Sequence, residues 1–205
     1  KYGNLASLSH LGVLYLEGLG VKQNIEEAKK FFILSAQCND SYGIYYLGYL
    51  YFAGKGFEQN YEVARKFYEK SANLENSDAL YMLGIIYEFG YGVEINLKIA
   101  GNFYEKAANL DNKEAYYHLG CLYFVGKGVE QNFSIARMYF TRAAELKDSN
   151  AILNLAVIYL YGLDCKVDQL KAKKYFEKLA NEGNPIAIYN LGNIYENGLG
   201  VPKDL

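Results

Sequence analysis

The sequence is poor in the residues that build disulfide frameworks and metal sites. Its 205 residues include 3 cysteines, 2 histidines and 2 prolines. Cys38, Cys121 and Cys165 are unrelated in spacing, whereas a disulfide framework or a zinc site needs ligands at fixed offsets. We therefore expect three reduced, mostly buried thiols and neither a metal nor a cofactor. Hydrophobic residues make up 51% of the chain, which favours a folded domain over a disordered segment.

The sequence also lacks an excess of one charge and a long apolar run. Lys and Arg total 21, Asp and Glu total 23, and the net charge is −2. Because phosphate backbones are bound by basic stripes, we expect no nucleic-acid partner. No apolar run approaches the roughly 20 residues that span a bilayer, so we expect no direct membrane insertion. Cysteine usage fits the cytoplasm but leaves a secretory or host-exported context open, so the sequence assigns no compartment.

What the chain does contain is a repeat with a period of 36 residues. A Leu-Gly pair lies at 11/12, 47/48, 83/84, 119/120 and 191/192, and Leu155-Ala156 takes the remaining place. Three residues after the glycine comes an invariant tyrosine: Tyr15, Tyr51, Tyr87, Tyr123, Tyr159 and Tyr195. A fixed period of this kind predicts a solenoid, in which each unit buries its apolar face against its neighbours.

Each repeat predicts two helices, A and B. The repeats are 4–39, 40–75, 76–111, 112–147, 148–183 and a partial copy, 184–205. Each starts with a residue type that caps helix A: Asn4, Asp40, Asn76, Asn112, Asp148 and Asn184. We expect helix A to span about 13 residues, such as 77–89, and to end at Gly-x-Gly, where glycine accepts left-handed geometry.

A second cap precedes helix B, which is expected to span residues such as 61–74. The predicted caps are Asn24, Asn60, Asn96, Asn132, Asp168 and Asp204. Glu27 is placed to complete a capping box by reaching back to the N–H of Asn24. Alanines recur in helix B at two positions, and we expect them to face the Leu-Gly pairs so that the two backbones approach closely. A larger side chain would overpack this crossing.

The motif Leu-Gly-x-x-Tyr-x-x-Gly-x-Gly-Val, followed by Asn or Asp, Ala, two aromatics and Ala-Ala, resembles the Sel-1-like repeat. This family is related to tetratricopeptide arrays, and the resemblance covers the whole chain. It implies an all-α fold, a right-handed α/α superhelical solenoid of helix-loop-helix repeats. The fifth copy departs from the motif, with Ala156 for glycine, Asp164 for the second loop glycine and Cys165 for valine. We expect Asp164 to tolerate the left-handed conformation.

Catalytic motifs are scarce. His10 and His118 occupy the same position three repeats apart, so they cannot serve one site in a stacked array. Gly54-Lys55-Gly56 ends a helix, whereas a phosphate loop begins one. We therefore predict that the chain is not an enzyme. The chain also has no polar terminal repeat, so we expect it to be a fragment of a longer array, with self-association through its uncapped ends.

In tetratricopeptide arrays, helix A lines a concave groove, and the resemblance implies the same face here. The corresponding residues are Tyr42, Tyr45, Tyr49, Phe52, Tyr81, Ile85, Glu88, Phe89, Tyr117, Phe124, Leu153, Leu160, Tyr161, Tyr189 and Asn193. Tyr45, Tyr81, Tyr117 and Tyr189 share one repeat position, which is either core or groove. Better groove candidates lie at positions that vary between copies: Tyr49, Phe52, Phe89, Phe124 and Tyr161.

These features favour a non-catalytic scaffold or adaptor that binds a segment of a protein or peptide partner in its groove. Tyrosine supports this hypothesis because it gives a large, stiff contact area with a polar tip. Two alternatives remain. The chain is either the regulatory or targeting array of a multidomain enzyme whose catalytic domain lies elsewhere, or a module for homotypic assembly.

Overall fold

A computed structural model describes the backbone of residues 5–200 and the side chains of residues 7–200. In this part of the chain the secondary structure comprises eleven α-helices and no β-strand. In chain order they are α1 (Leu5–Glu17), α2 (Ile25–Gln37), α3 (Ser41–Ala53), α4 (Tyr61–Ala72), α5 (Ser77–Phe89), α6 (Leu97–Ala108), α7 (Lys113–Val125), α8 (Phe133–Glu145), α9 (Ser149–Tyr161), α10 (Gln169–Asn181) and α11 (Pro185–Asn197). Odd-numbered helices are helix A and even-numbered helices are helix B, which confirms the all-helical repeat fold.

The chain divides into two compact units, Lys1–Asn112 and Lys113–Leu205. The first unit contains α1 to α6, and the second contains α7 to α11. In each unit helix A packs against its own helix B, and that helix B packs against helix A of the next repeat. The core is therefore a series of small apolar clusters between successive helices, as expected when each repeat contacts only its neighbours.

Asparagine and aspartate side chains cap the helices as predicted. The helix A caps are Asp40, Asn76, Asp148 and Asn184, and the helix B caps are Asn24, Asn60, Asn96, Asn132 and Asp168. In each case the side-chain oxygen accepts a first-turn N–H, a donor with no partner inside the helix. The predicted caps Asn4 and Asp204 lie outside the described residues.

The loop after helix A adopts the predicted left-handed turn. Gly54 and Gly90 are helix C-caps with φ of 66° and 74°, a conformation that costs glycine little. In the fifth repeat Asp164 has φ of 53°, which confirms that aspartate replaces the second loop glycine without changing the turn. Helix B ends earlier than predicted, because α4 stops at Ala72 and Glu75 then turns the chain with φ of 59°.

The invariant tyrosine fastens helix A to helix B in two ways. The ring of Tyr51 stacks on Phe67 at 5.7 Å, and that of Tyr87 stacks on Phe103 at 5.7 Å. The tyrosine carbonyl accepts the N–H of the helix B cap, as from Asn60 to Tyr51 at 3.0 Å. The same pairing recurs at Asn24–Tyr15, Asn96–Tyr87, Asn132–Tyr123 and Asp168–Tyr159.

This carbonyl bond corrects the predicted capping box. The N–H of Asn24 donates to the carbonyl of Tyr15 at 2.8 Å, and the carboxylate of Glu27 pairs instead with Lys30 at 2.6 Å. Asn24 still accepts the N–H of Glu27 at 3.1 Å, so half of the predicted arrangement is present. The carbonyl of Tyr15 takes the N–H first, because the short Gly-x-Gly loop brings the cap back over the end of helix A.

The glycine of the Leu-Gly pair makes room for an aromatic ring. A Cβ atom added to Gly12, Gly84 or Gly120 would lie 2.3 to 2.5 Å from a ring carbon of helix B. The rings concerned are Phe32, Tyr104 and Phe140, and a Cβ atom on Gly48 would lie 2.9 Å from the ring of Tyr68. These four rings, together with Phe176 at the same position of the fifth repeat, are here called notch aromatics. The expectation that the alanines of helix B face the glycine is therefore wrong, since the nearest atoms belong to these rings. The first alanine of each helix B, such as Ala64, is nevertheless fully buried.

We expect Gly84→Leu to lower the free energy of unfolding by about 1–3 kcal/mol, because its side chain would displace the ring of Tyr104. The measurement is the urea midpoint. Gly192→Ala is the control, since nothing lies within 4 Å of the added Cβ. It should be neutral or stabilise by up to about 1 kcal/mol through helix propensity. Equal losses in both variants would show that the ring of Tyr104 does not depend on the space left by Gly84.

Candidate functional site

Four tyrosines form one stripe along α3. They are Tyr42, Tyr45, Tyr46 and Tyr49, at the i, i+3, i+4 and i+7 spacing that places side chains on one helix face. The helix has no charged residue in its sequence SYGIYYLGYLYFA. Leu47 and Leu50 of the same helix lie in a core cluster, and Tyr46 and Tyr49 pack against the edge of that cluster.

The rings of the tyrosine stripe contact one another and remain partly accessible. Tyr45 and Tyr46 lie 5.1 Å apart between ring centroids, and Tyr46 and Tyr49 lie 6.4 Å apart. Tyr46 also stacks on the notch aromatic Phe32 at 4.7 Å. Tyr42 is 53% exposed, and the other three are half-buried. The tyrosine stripe thus packs on buried aromatic rings and is partly accessible to solvent.

The charges near the tyrosine stripe are mainly acidic. Burial, followed by the charge of Asp78, raises the pKa of Tyr45. Burial also raises the pKa of Tyr46, with further contributions from Asp78 and Glu17. Both hydroxyls therefore stay protonated at neutral pH and can donate hydrogen bonds. Lys55 supplies a positive charge, and its Nζ donates to the Tyr49 hydroxyl at 3.0 Å.

A cavity of about 310 Å³ lies between α1 and α3. It is lined by Ser9, His10, Val13, Tyr42 and Tyr46. The cavity runs along one side of the tyrosine stripe, and Asp78 of α5 is on the other side. The volume is near the lower limit for small-ligand pockets, so it suits one side chain rather than a whole peptide.

Beneath the tyrosine stripe, one notch aromatic carries an unsatisfied hydroxyl. Tyr68 is fully buried, and its hydroxyl has no hydrogen-bond partner among the described residues. Its ring lies 5.6 Å from Tyr45 and 6.4 Å from Phe52. In the next repeat the equivalent hydroxyl, on Tyr104, donates to the carboxylate of Glu88. Phe52 occupies the position of Glu88 one repeat earlier, so Tyr68 has no acceptor there.

The expected contact residues of α5 extend the surface of the first unit. Tyr81 and Ile85 are half-buried, and the exposed fraction of Phe89 is 53%. The ring of Tyr81 lies 5.9 Å from Tyr104. Glu88 is partly engaged, because it accepts the hydroxyl hydrogen of Tyr104. This side of α5 is therefore less aromatic and more acidic than the tyrosine stripe.

Two of the expected groove residues also pack against aromatic residues outside helix A. Phe52 contacts Tyr61 of its own helix B at 5.2 Å and Tyr91 of the next repeat at 5.1 Å. Phe124 contacts Phe133 at 5.3 Å. Both are half-buried, so a position that varies between copies can still take part in packing.

In the second unit the expected residues are divided between core and surface. Leu160 is only 8% exposed and shares a core cluster with Phe176, so it has little surface to offer a partner. Leu153 packs against the same cluster, and Asn193 is half-buried. Tyr161 and Tyr189 are 66% and 70% exposed.

The position shared by Tyr45, Tyr81, Tyr117 and Tyr189 is partly core wherever a helix B follows. The ring centroid of Tyr117 lies 6.1 Å from that of the notch aromatic Phe140, as the ring of Tyr45 contacts that of Tyr68. Among the described residues, no helix B follows Tyr189, and its ring is mostly exposed. Tyr45, Tyr81 and Tyr117 thus contact buried rings, and a groove role for this position stays a prediction.

Sequence reasoning missed Tyr46. Across the repeats its position also holds His10, Met82 and Asn154, so a comparison of equivalent positions does not select it. The signal that could have found it runs along the helix, where Tyr46 completes the i, i+3, i+4, i+7 pattern with Tyr42.

Neither a disulfide nor a cluster of metal-ligating side chains is present in the described part of the chain. The three cysteines form no disulfide, and Cys38 is exposed, which corrects the expectation that most are buried. Between residues 5 and 200, no three His, Cys, Asp or Glu side chains gather closely enough to hold a metal ion. Within the same range, every helix falls short of the length and apolar character of a bilayer-spanning helix.

The packing defines a class of protein, a repeat array of helix pairs in which helix A presents the variable surface. A model of the Sel1 repeat matches residues 5–40, 41–76, 77–112, 113–148, 149–184 and 185–205. The chain therefore belongs to the Sel1 repeat family, whose members are TPR-like and are commonly scaffolds for protein–protein interaction. No curated protein matches the chain significantly.

Solved structures carry the same fold. The chain is similar to c5321, a protective antigen of uropathogenic Escherichia coli with an SLR fold, at 35% identity and a TM-score of 0.87. That match covers 98% of this chain but only 44% of the E. coli chain. A Sel1 repeat protein from Oxalobacter formigenes is 31% identical, with a TM-score of 0.88 over 98% of this chain and 82% of its own.

A third similarity concerns the fold alone. Immunity protein Pa5087 from Pseudomonas aeruginosa is 19% identical, with a TM-score of 0.61. The match covers 94% of this chain and 71% of the Pseudomonas chain.

We expect Tyr68→Phe to raise the free energy of unfolding by up to about 1 kcal/mol, since it removes a buried hydroxyl that lacks a hydrogen bond. Tyr104→Phe is the matched variant and should lower it by about 1 kcal/mol or more, because Glu88 loses its donor. Urea denaturation measures both. A loss of stability in Tyr68→Phe as large as in Tyr104→Phe would show that the Tyr68 hydroxyl has a partner.

Proposed function

We propose that the chain is a non-catalytic scaffold that holds a segment of a protein partner along the tyrosine stripe of α3. The observation that carries this proposal is the row of four tyrosines on one helix face. Their rings pack on Phe32 and Tyr68 but remain partly accessible to solvent. A partner that covers them gains apolar contact at little entropic cost, because the rings are already held by their neighbours.

The chemistry of the tyrosine stripe supports binding rather than catalysis. Burial and nearby acidic charge raise the pKa of the Tyr45 and Tyr46 phenols, so both remain hydrogen-bond donors at neutral pH. Main-chain carbonyls of an extended or helical segment are suitable acceptors. Tyr81, Ile85, Glu88 and Phe89 would extend the contact along α5. In the second unit, Tyr117, Tyr161, Tyr189 and Asn193 would add separate contacts.

A displayed peptide library selected against the chain tests this proposal. We expect the selected peptides to bind the Tyr42→Ala/Tyr46→Ala/Tyr49→Ala variant at least about tenfold more weakly, since aromatic anchors dominate such interfaces. Isothermal titration gives the affinity, and a melting curve checks the fold. If the triple variant is unfolded, Tyr42→Ala alone serves, because this side chain is 53% exposed.

The matched control removes exposed apolar side chains from the helix B side of the same unit. Ile33, Leu74 and Leu110 are 38%, 36% and 41% exposed. Their triple alanine variant should bind the selected peptides as the original chain does. Peptides that lose affinity for this control but not for the stripe variant would overturn the proposal.

We also propose self-association through α11, favoured by the exposure of three large side chains on that helix. Ile186, Ile188 and Tyr189 are 54%, 54% and 70% exposed, and exposed apolar side chains gain free energy when they are covered. Light scattering over a concentration series should show a dimer that Ile188→Lys abolishes. Ile95→Lys, at a loop residue that is 65% exposed, is the control. A monomer at all concentrations would contradict this second proposal.

A further inference from the structure

We infer that Arg137 of α8 and Lys171 of α10 form a binding site for a phosphate group in the second unit. The two cations meet at the invariant tyrosine of the fifth repeat, Tyr159 of α9. All three side chains are half-buried, so each retains some contact with solvent. The site is independent of the proposed function, because the tyrosine stripe lies in the first unit.

Tyr159 brings the two cations together. It packs against the core cluster to which α8 contributes Ala136 and Phe140, and the Nζ atom of Lys171 lies 4.0 Å from its ring centre. Burial alone would raise the pKa of Tyr159, but hydrogen bonding and charge from Lys171 and Arg137 lower it below its ordinary value. Both cations therefore lie beside one hydroxyl, and a protonated phenol balances neither charge.

Arg137 lacks the carboxylate that pairs with the equivalent arginine of the second repeat. There, Arg65 pairs with Glu69, which follows it by four residues on α4. Thr141 takes the place of that glutamate after Arg137. Among residues 7–200, no carboxylate lies within ion-pairing distance of Arg137, and its buried Nε has no hydrogen-bond partner there. The charge of Arg137 is therefore left without a counter-ion.

Lys171 is an unusual residue for its repeat position. Three other repeats have an apolar side chain there, namely Val63, Ile99 and Ile135. Asp168 acts on Lys171 electrostatically, but its carboxylate caps α10 by accepting the main-chain N–H of Lys171 at 2.9 Å. In the described part of the chain, no carboxylate lies within ion-pairing distance of the Lys171 ammonium. This position therefore adds a second cation beside Arg137.

The surroundings of the two cations are basic as well. Helices α8 and α10 together carry six Lys or Arg residues and two Glu residues, and α9 carries no charge. Each glutamate pairs with a cation of its own helix. The loop before α10 adds Asp164, Asp168 and Lys166, so positive charge still exceeds negative charge. An anion that approaches this part of the second unit therefore meets a favourable potential.

A phosphate group suits two adjacent cations better than a carboxylate does. A phosphate monoester carries a charge of about −1.5 to −2 at neutral pH and three acceptor oxygens, whereas one carboxylate would leave a positive charge unbalanced. The planar guanidinium of Arg137 can bind two phosphate oxygens, and the ammonium of Lys171 can bind the third. Arg137 also lines a hollow of about 590 Å³ on the surface of α8, which gives the phosphate access from solvent.

The test is a nuclear magnetic resonance titration of the whole chain, at constant ionic strength, with inorganic phosphate and with N-acetyl-phosphoserine methylamide. We expect a saturable shift of the Arg137 Nε–H signal and none of the Arg65 signal, because Arg65 has a similarly buried Nε but already pairs with Glu69. N-acetyl-glutamate methylamide carries one charge and should bind at least about fivefold more weakly than the phosphoserine compound. Tighter binding of inorganic phosphate would identify a free phosphate as the ligand, and tighter binding of the phosphoserine compound a phosphorylated side chain.

Two variants restore residues that other repeats have at the same positions. Thr141→Glu introduces the carboxylate that Glu69 and Glu177 supply, and Lys171→Ile introduces the isoleucine of the third and fourth repeats. Each should weaken phosphate binding about two- to fivefold or more, because one cation is neutralised or removed. A melting curve checks that both variants fold. Lys66→Gln removes an exposed cation of the first unit and should leave phosphate binding unchanged.

Several outcomes would overturn the inference. The first is the lack of a saturable shift at the Arg137 Nε–H, and the second is an equal shift at Arg65, which would indicate a general effect of the anion. Equal affinity for the phosphoserine and glutamate compounds would show that the site does not select a phosphate group. Undiminished phosphate binding in both folded variants would place the anion elsewhere on the chain.

Discussion

The seating of a helix B aromatic ring against a helix A glycine is the contact on which the rest of the structure depends. In the third repeat, an added Cβ on Gly84 would lie 2.3 Å from Tyr104, so the absence of a side chain sets the distance between the two helices. The invariant tyrosine then fixes their angle, because its ring stacks on the first aromatic of helix B and its carbonyl accepts the cap N–H. Both contacts lie inside one repeat, so the part of helix A that faces neither its own helix B nor the neighbouring repeats is left for the surface.

The helix A residue that faces each notch aromatic depends on whether that aromatic carries a hydroxyl group. Where the notch aromatic is phenylalanine, the facing helix A residue is apolar, as with Phe140 and Phe124. Where it is Tyr104, the facing residue is Glu88, which accepts its hydrogen bond. Tyr68 departs from this rule, since Phe52 faces it and its buried hydroxyl has no partner among the described residues. Tyr68, which lies beneath the tyrosine stripe, therefore distinguishes this repeat from the others.

The sequence predicted the repeating parts of the fold well and the candidate site only in part. The period located helix A of the third repeat at its observed bounds, and the caps followed from residue type, because both depend on local chemistry. Phe52 and Phe124 show the limit. Their position varies between repeats, yet each packs against a helix B residue that varies with it, Tyr61 and Phe133. Tyr46 shows the converse, since its role follows from neighbours along α3 rather than from its equivalents in other repeats.

The surface chemistry of helix A therefore differs between repeats, although the helix pairs share one backbone pattern. The position of Tyr42 is held by Asp78 one repeat later and by Asn150 two repeats after that. None of these substitutions touches the notch or the invariant tyrosine, so each changes the chemistry of the surface at little cost in stability. An array built this way can have an aromatic cavity in the first unit and a hydrogen-bonded polar cluster in the second. The contact between the helix B ring and the helix A glycine makes the repeats uniform, and it thus also allows their outer faces to differ.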